Sequence, residues 1–124
     1  MVYDGNGECV AVDFRYLDAE LNGGVKTQCQ GEKNGFYWTS DPRRLATART
    51  VFIVESPINA LSIETALAHQ KGFACLAIRG VANVGNIDWA FLRGKRAIIA
   101  LDHTDRYDPK SGKRPGMDAA YRLY

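Results

Sequence analysis

In the first forty residues, apolar and polar positions alternate along short stretches, and turn signals separate these stretches. Residues 8–17 follow the turn sequence Asp-Gly-Asn-Gly, residues 25–30 follow Asn-Gly-Gly, and residues 36–39 follow Asn-Gly. Such alternation is typical of strands, and Asn-Gly pairs are typical of the tight turns that join them. The pattern therefore predicts a small antiparallel sheet, which residues 40–50 connect to the remainder through one helical turn.

From residue 51 onwards, the apolar residues form continuous runs instead of alternating. Three runs, at residues 51–54, 73–78 and 96–101, are typical of strands with both faces covered. Between the first two runs, Ser56 and Pro57 suit the N-cap and first turn of a helix that Gly72 would end.

The later part of the chain continues this alternation of strand and helix. Residues 81–94 are predicted to form an irregular crossover with a short helix at 88–92, and residues 116–124 a helix after the polar loop 103–115. Strands alternating with helices predict an α/β fold with parallel crossovers. Because the chain stops within the last predicted helix, we expect it to be a fragment of a longer protein.

Composition narrows the class of protein further. A chain of 124 residues, 46% hydrophobic and 24% charged, suits one globular domain, here a strand-rich segment 1–50 and an α/β core 51–124. The sequence has no run of eighteen apolar residues and no signal peptide at its start, which predicts no membrane partner. The net charge of +2 neither requires nor excludes a nucleic-acid partner.

The three cysteines are widely spaced and form no Cys-x-x-Cys pair, which excludes a typical zinc site or disulfide framework. Cys9 and Cys75 lie within apolar runs, so we expect both to be buried as small hydrophobic side chains. This usage predicts the reducing cytoplasm as the compartment.

Two of the three predicted buried strands end in an acid. Glu55 follows the run 51–54, and Asp102 follows the run 96–101. Ligands of open parallel sheets bind beyond the carboxyl ends of the strands, and adjacent strands would bring these carboxylates close enough to share a cation such as Mg²⁺. The alternative is that each acid simply pairs with Arg79 or Arg96.

Several polar residues lie near these acids in the sequence. Asn59, four residues after Glu55, would either help to orient ligands or cap the helix. Asp105, in the loop after Asp102, would either contact a metal or remain a solvated turn residue.

Residues 106–114 of the loop 103–115 form a basic segment with a single acid. Four of its cations lie close together, and they are Arg106, Lys110, Lys113 and Arg114. Cations beside an acidic metal site suit the binding of phosphates, and Arg79 at the end of the middle strand would add another. A loop that only confers solubility is the alternative.

These residues resemble the motifs of the Toprim domain, the catalytic module of bacterial DNA primases, topoisomerases and several nucleases. The run VFIVE at residues 51–55, followed by SPINAL, is similar to the family's glutamate motif. The run AIIALD at residues 97–102, followed by GMDAA at 116–120, is similar to the aspartate motif that leads into an alanine-rich helix. The strand-rich segment before the glutamate is similar to that of primase-like proteins of phages and mobile elements.

The resemblance implies an α/β, Toprim-like Rossmannoid parallel sheet flanked by helices. It implies that Glu55 acts as a general acid/base or metal ligand, that Asp102 is a metal ligand, and that Asp105 could complete a Mg²⁺ (or Mn²⁺) site. The implied function is metal-dependent nucleotidyl or phosphoryl transfer in primer synthesis, with DNA or RNA, nucleoside triphosphates and other domains of the parent protein as partners.

Three positions depart from the family pattern. Ser56, Asn59 and Thr104 stand where the family usually has a glycine, an aspartate and a second aspartate. Fewer carboxylates lower the expected affinity for a hard divalent cation. A Toprim-shaped module that binds nucleic acid or protein without catalysis, and a Toprim-type nuclease, therefore remain alternatives.

Overall fold

The computed structural model describes residues 1–4, 6–32, 34–102, 109, 112 and 114–124. Seven strands form one sheet in the order β3-β2-β1-β4-β6-β5-β7. The strands are β1 (Val2–Tyr3), β2 (Cys9–Arg15), β3 (Thr27–Gly31), β4 (Tyr37–Trp38), β5 (Thr50–Val54), β6 (Phe73–Ala77) and β7 (Arg96–Ala100). The helices are α1 (Pro42–Thr47), α2 (Pro57–Ala66) and α3 (Pro115–Leu123), with short 3-10 helices at Val81–Asn83 and Trp89–Leu92.

The first four strands form the antiparallel half of the sheet, as the alternating pattern predicts. β2 and β3 pair in uniform register from Ala11 opposite Gly31 to Arg15 opposite Thr27. The strand β1 was not predicted, since two residues are too few to show alternation. The antiparallel half joins the rest of the sheet where Trp38 of β4 pairs with Ala77 of β6.

The last three strands are parallel, with β5 between β6 and β7. Thr50 lies opposite Phe73 and Arg96, and Val54 lies opposite Ala77 and Ala100. A mixed sheet with parallel strands flanked by helices confirms the predicted α/β fold, including its small antiparallel segment. The carboxyl ends of all three parallel strands lie at one edge, where ligands are expected.

The prediction that both faces of β7 are covered is wrong. Within the described residues β7 is the edge strand, Arg96 and Ala97 are exposed, and its last three residues are only half-buried. Among the three parallel strands, β5 is the central one, and β6 beside it is buried along its whole length. A run of small and apolar residues does not by itself distinguish a central strand from an edge strand.

Side chains of β5 and β6 alternate between two hydrophobic clusters, one on each face of the sheet. Val51, Ile53 and Leu76 belong to the cluster that also contains Leu45 of α1 and Ala119 of α3. On the opposite face, another cluster contains residues of β5, β6 and α2, among them Val54, Phe73, Cys75 and Ala60. Cys75 is thus buried as predicted, whereas Cys9 is exposed, because it lies at the start of a strand.

The helix α2 begins as the sequence predicts but ends earlier. Ser56 is its N-cap and Pro57 its first residue, whereas the helix ends at Ala66, before Gly72. Residues 67–69 continue as turns, and the Gly72 carbonyl accepts hydrogen bonds from the N–H groups of Arg49 and Thr50. Among the residues described, no helix is long and apolar enough to cross a membrane.

Candidate active site

The two predicted acids lie beyond the carboxyl ends of the neighbouring parallel strands β5 and β7. Val54 and Ala100 are paired in register, and Glu55 follows the first while Asp102 lies two residues beyond the second. Asp102 is exposed, and Glu55 is half-buried. Arg96, the alternative partner suggested by the sequence, lies at the opposite end of β7 beside Thr50. The fold therefore brings both acids to one edge, away from Arg96.

A chain of hydrogen bonds links the start of α2 to Asp102. The hydroxyl of Ser56 accepts a 3.3 Å hydrogen bond from the Asn59 backbone N–H and donates to the Asn59 side-chain oxygen. The Asn59 amide nitrogen in turn donates to Oδ1 of Asp102 across 3.2 Å. Ser56 is therefore the cap of α2. Of the two roles expected for Asn59, the structure shows the orienting one, because its side chain bonds to Asp102.

The donor set at this edge suits Mg²⁺. Mg²⁺ in proteins is usually held by one or two carboxylates, and phosphates of the substrate and water complete its coordination. Glu55 and Asp102 supply two carboxylates. The Asn59 hydrogen bond reaches Oδ1 of Asp102 and leaves its Oδ2 atom for a metal. No group of three His, Cys, Asp or Glu side chains capable of holding a metal occurs in the described part of the chain. The described residues thus fit a metal that relies on further oxygens from ligands.

Arg79 connects this edge to the antiparallel half of the sheet. Its Nε and Nη2 atoms donate hydrogen bonds of 2.6 Å to the two carboxylate oxygens of Asp13 on β2. Nη2 also lies 3.0 Å from the Cys29 sulfur, and Nη1 donates to the Glu32 carbonyl across 3.3 Å. The backbone N–H of Arg79 donates to the carbonyl of Glu55 across 3.0 Å. One residue therefore contacts both the hairpin and the glutamate turn.

The environment of this pair favours its charged form. Burial acts to raise the pKa of Asp13, but the hydrogen bond and charge of Arg79, together with Cys29, outweigh it and hold that pKa below its ordinary value. Burial acts to lower the pKa of Arg79, and the hydrogen bond and charge of Asp13 outweigh it and raise that pKa. The side chains of Arg79 and Asp13 are only 3% and 24% exposed. Arg79 also has a positive φ of 65°, a backbone conformation rare for a residue with a side chain.

A cleft of about 350 Å³ opens beside Glu55. One wall is the β2–β3 hairpin, and the other is formed by residues 55–58 at the start of α2. Trp38, Arg79 and Gly80 also line this cleft. Glu55 therefore lies in a cleft and not on a flat sheet edge, because the N-terminal segment forms one wall of that cleft.

The remaining predicted site residues are placed as follows. Arg114 is exposed and lies immediately before α3. Asp105, Arg106, Lys110 and Lys113 lie outside the described residues. The predicted roles of these residues in binding metal or phosphate stay predictions. The phosphate contact predicted for Arg79 also stays a prediction, and its partner seen in the structure is Asp13.

Asp13 and Arg15 were missed as site residues in the sequence. The signal was present, since both lie two positions apart in an alternating run and must share one face of the strand. The alternation of residues along the strand does not reveal which distant residue packs against that face. The pairing of Asp13 with Arg79 depends on how the two halves of the sheet meet.

Comparison with protein families finds a match to the Toprim domain over residues 50–124. The matched segment begins at β5 and includes Glu55 and Asp102. Comparison with curated proteins and with solved structures found no match.

Proposed function

This chain belongs to the Toprim domain family, whose members are metal-binding domains of nucleic-acid-related proteins, and on that premise we propose that it serves Mg²⁺-dependent phosphoryl or nucleotidyl transfer on nucleic acid. The specific activity we propose is primer synthesis within a primase-like cytoplasmic protein. Its substrates would be a DNA or RNA template and nucleoside triphosphates.

The observation that carries this proposal is the position of Glu55 and Asp102 beyond the ends of paired parallel strands, where Glu55 also lines an open cleft. Two carboxylates at the ends of neighbouring strands would attract a divalent cation, and the cleft beside Glu55 would give a phosphate-bearing ligand access to it. Arg96, one of the two cations that could have made the arrangement purely structural, lies at the opposite end of β7 from both acids.

Each described residue has a definite part in the proposed site. Glu55 and Asp102 would hold the cation, which when bound neutralises charge on the reacting phosphate. Glu55 would also accept or donate a proton at the reacting hydroxyl. Asn59 fixes one oxygen of Asp102, and Arg79 fixes the carbonyl of Glu55. The catalytic acids are thus supported by hydrogen bonds from separate elements.

A second candidate function is a Toprim-shaped module that binds nucleic acid or protein without catalysis. It is favoured by the Asn59 amide, which donates to Asp102 where a further carboxylate would have strengthened a cation site. A metal titration discriminates between the two functions. A Toprim-type nuclease would bind metal as well, and the products of the reaction distinguish it from a polymerase.

The test combines metal binding with catalysis. Backbone NMR signals of the full chain are followed during titration with Mg²⁺ and then Mn²⁺, and nucleotide incorporation is measured on a single-stranded template in the parent protein. Saturable shifts near Glu55 and Asp102 at millimolar metal, with template-dependent incorporation, are expected. Cleavage of the template without incorporation would instead assign the nuclease.

The matched variants are Glu55→Gln and Glu20→Gln. Glu55→Gln removes a ligand charge at the cleft, so both the metal-induced shifts and the incorporation should be lost. Glu20→Gln changes an exposed acid in the turn between β2 and β3 and should leave both unchanged. Full activity of a correctly folded Glu55→Gln variant would contradict the proposed role of this glutamate.

A further inference from the structure

The hairpin wall of the cleft carries a cation, Arg15, that lies outside the residues matched to the family. We infer that Arg15 on β2 is a phosphate-binding residue, and that the cleft between the β2–β3 hairpin and the start of α2 holds one nucleotide unit. This inference rests on the proposed function and specifies which chemical group its site receives. It concerns a segment that lies before the matched residues 50–124.

The strand register determines which side chains face the cleft. Asp13 pairs with Cys29, and Arg15 pairs with Thr27 two positions further along the hairpin. Side chains two residues apart in a strand share a face. Since Asp13 and Cys29 both contact Arg79 at the base of the cleft, Arg15 and Thr27 lie on that same face. All of them line the cleft.

The charged side chains that line the cleft are Asp13, Arg79, Glu55 and Arg15, and Arg15 is the group among them that would attract an anion. The bidentate pair neutralises Asp13 and Arg79 against each other. The Arg15 side chain is exposed, and within the described part of the chain no hydrogen bond or ion pair engages its guanidinium. A guanidinium is suited to phosphate because its fork of N–H groups matches two phosphate oxygens. The Thr27 hydroxyl opposite it provides a further donor.

The size and lining of the cleft define the rest of the ligand. A volume of about 350 Å³ lies at the lower end of the range for small-molecule sites, which suits one nucleotide rather than a duplex. Trp38, Pro57 and Ile58 contribute apolar and aromatic surface for a base and sugar. With Glu55 on the opposite wall, a phosphate near Arg15 enters the cleft that Glu55 lines. The ligand is therefore a nucleoside phosphate, either free or as a unit of a single strand.

The experiment measures binding without metal, so that its result does not depend on the metal site. Adenosine 5′-monophosphate and a single-stranded thymidine oligonucleotide of about six nucleotides are titrated in the presence of EDTA. Trp38 lines the cleft whereas Trp89 belongs to the opposite face, so fluorescence in a Trp89→Phe background reports on the cleft. Calorimetry on the chain with both tryptophans checks that this background has not changed the affinity.

The matched variants are Arg15→Gln and Arg93→Gln. Arg93 is an exposed arginine before β7, at the opposite edge of the sheet from the cleft. Loss of an exposed phosphate contact should weaken binding about fivefold in Arg15→Gln, and the oligonucleotide should lose about 0.7 from its slope of log affinity against log salt. Arg93→Gln should have the same affinity and the same salt dependence as the unsubstituted chain.

The outcomes separate this inference from the proposed function. Binding of the free nucleotide assigns a mononucleotide site, and binding of the oligonucleotide alone assigns a single-strand site; both support the inference if Arg15→Gln weakens them. The inference is overturned if neither probe binds at millimolar concentration, or if Arg15→Gln and Arg93→Gln bind the probes with equal affinity. If Glu55→Gln loses activity while Arg15→Gln binds the probes as tightly as the unsubstituted protein, only the assignment of the cleft is overturned. The reverse result would overturn the catalytic proposal alone.

Discussion

Arg79 and Asp13 are 66 residues apart in the sequence, and two hydrogen bonds of 2.6 Å join their side chains. This pair fastens the β2–β3 hairpin to the end of β6, directly beside the turn that carries Glu55. The pair is therefore both a structural connection between the halves of the sheet and the base of the cleft.

Asp13→Asn should destabilise the protein by about 2 kcal/mol at pH 7, since it leaves a nearly buried guanidinium without its charged partner. The pKa of Asp13 is lowered in the folded state from its ordinary value of 3.8. Its contribution to stability is therefore complete above pH 3.8 and is lost as the pH falls through the folded-state pKa. Urea unfolding of both proteins between pH 7 and pH 2.5 measures this difference.

The difference in free energy of unfolding between Asp13→Asn and the unsubstituted protein should consequently decrease below pH 4. Protonation then removes the same charge from Asp13 in the unsubstituted protein. Asp18→Asn is the control, since Asp18 is an exposed turn residue on the same hairpin. A gap for Asp13→Asn that stayed constant down to pH 2.5 would show that the charge of Asp13 is not the stabilising feature.

Asn59→Asp should strengthen Mg²⁺ binding about tenfold, because it adds a carboxylate next to Asp102 and ligand charge sets cation affinity. Without metal, the same change should slightly lower the melting temperature, since two like charges then face each other. Calorimetric titration and thermal unfolding with and without Mg²⁺ measure both effects.

Asn59→Ala serves as the comparison for Asn59→Asp, because it removes the hydrogen bond to Asp102 without adding charge. It should leave the affinity for Mg²⁺ unchanged or reduced. Equal Mg²⁺ affinities for the aspartate and alanine variants would refute a cation site between residue 59 and Asp102.

Ser56→Ala should destabilise the protein by about 1 kcal/mol, because it removes the N-cap of α2. It also releases the side chain of Asn59, so the NMR signals of Asp102 should shift although residue 56 is not hydrogen-bonded to it. Ser62→Ala is a matched control in the same helix, since within the described residues the Ser62 hydroxyl bonds only to the Ile58 carbonyl. If both serine variants had the same stability, the capping role of Ser56 would be disproved.

Cys75 should resist modification by a thiol-reactive disulfide reagent at pH 8 until the protein unfolds. Its side chain is fully buried, and burial, with a further contribution from Glu64, raises its pKa to about 12. Cys9 is exposed and should react promptly in the folded state. Mass spectrometry of the labelled chain distinguishes the two sites, with Cys9→Ser as the control. Rapid labelling of Cys75 in the folded protein would contradict the packing described here.

The α/β core could be predicted because its signals are local. The continuous apolar runs at 51–54 and 73–78 correspond to β5 and β6, and the Ser56-Pro57 pair marks the start of α2. The positions of Glu55 and Asp102 followed from the rule that strand ends of a parallel sheet share one edge. Their placement at neighbouring strands is confirmed by the pairing of β5 with β7.

The cleft could not be predicted, because it depends on contacts between distant segments. The alternation in residues 8–17 places Asp13 and Arg15 on one face, but nothing in that stretch indicates that Arg79 covers it. In the same way, the apolar run at 96–101 gave no sign that β7 lies at the edge of the sheet. Such features are decided by the order of the strands, which local periodicity does not encode.

The joint between the two halves of the sheet has a consequence for how the chain folds. The β2–β3 hairpin is made of neighbouring segments and can form early. Its attachment to the rest of the sheet requires two distant contacts, the pairing of Trp38 with Ala77 and the bond between Asp13 and Arg79. Closing so long a loop is entropically slow, and contacts of this range lower folding rates. The wall that carries Arg15 is thus expected to dock last during folding, so the cleft is completed only after the core beneath it has formed.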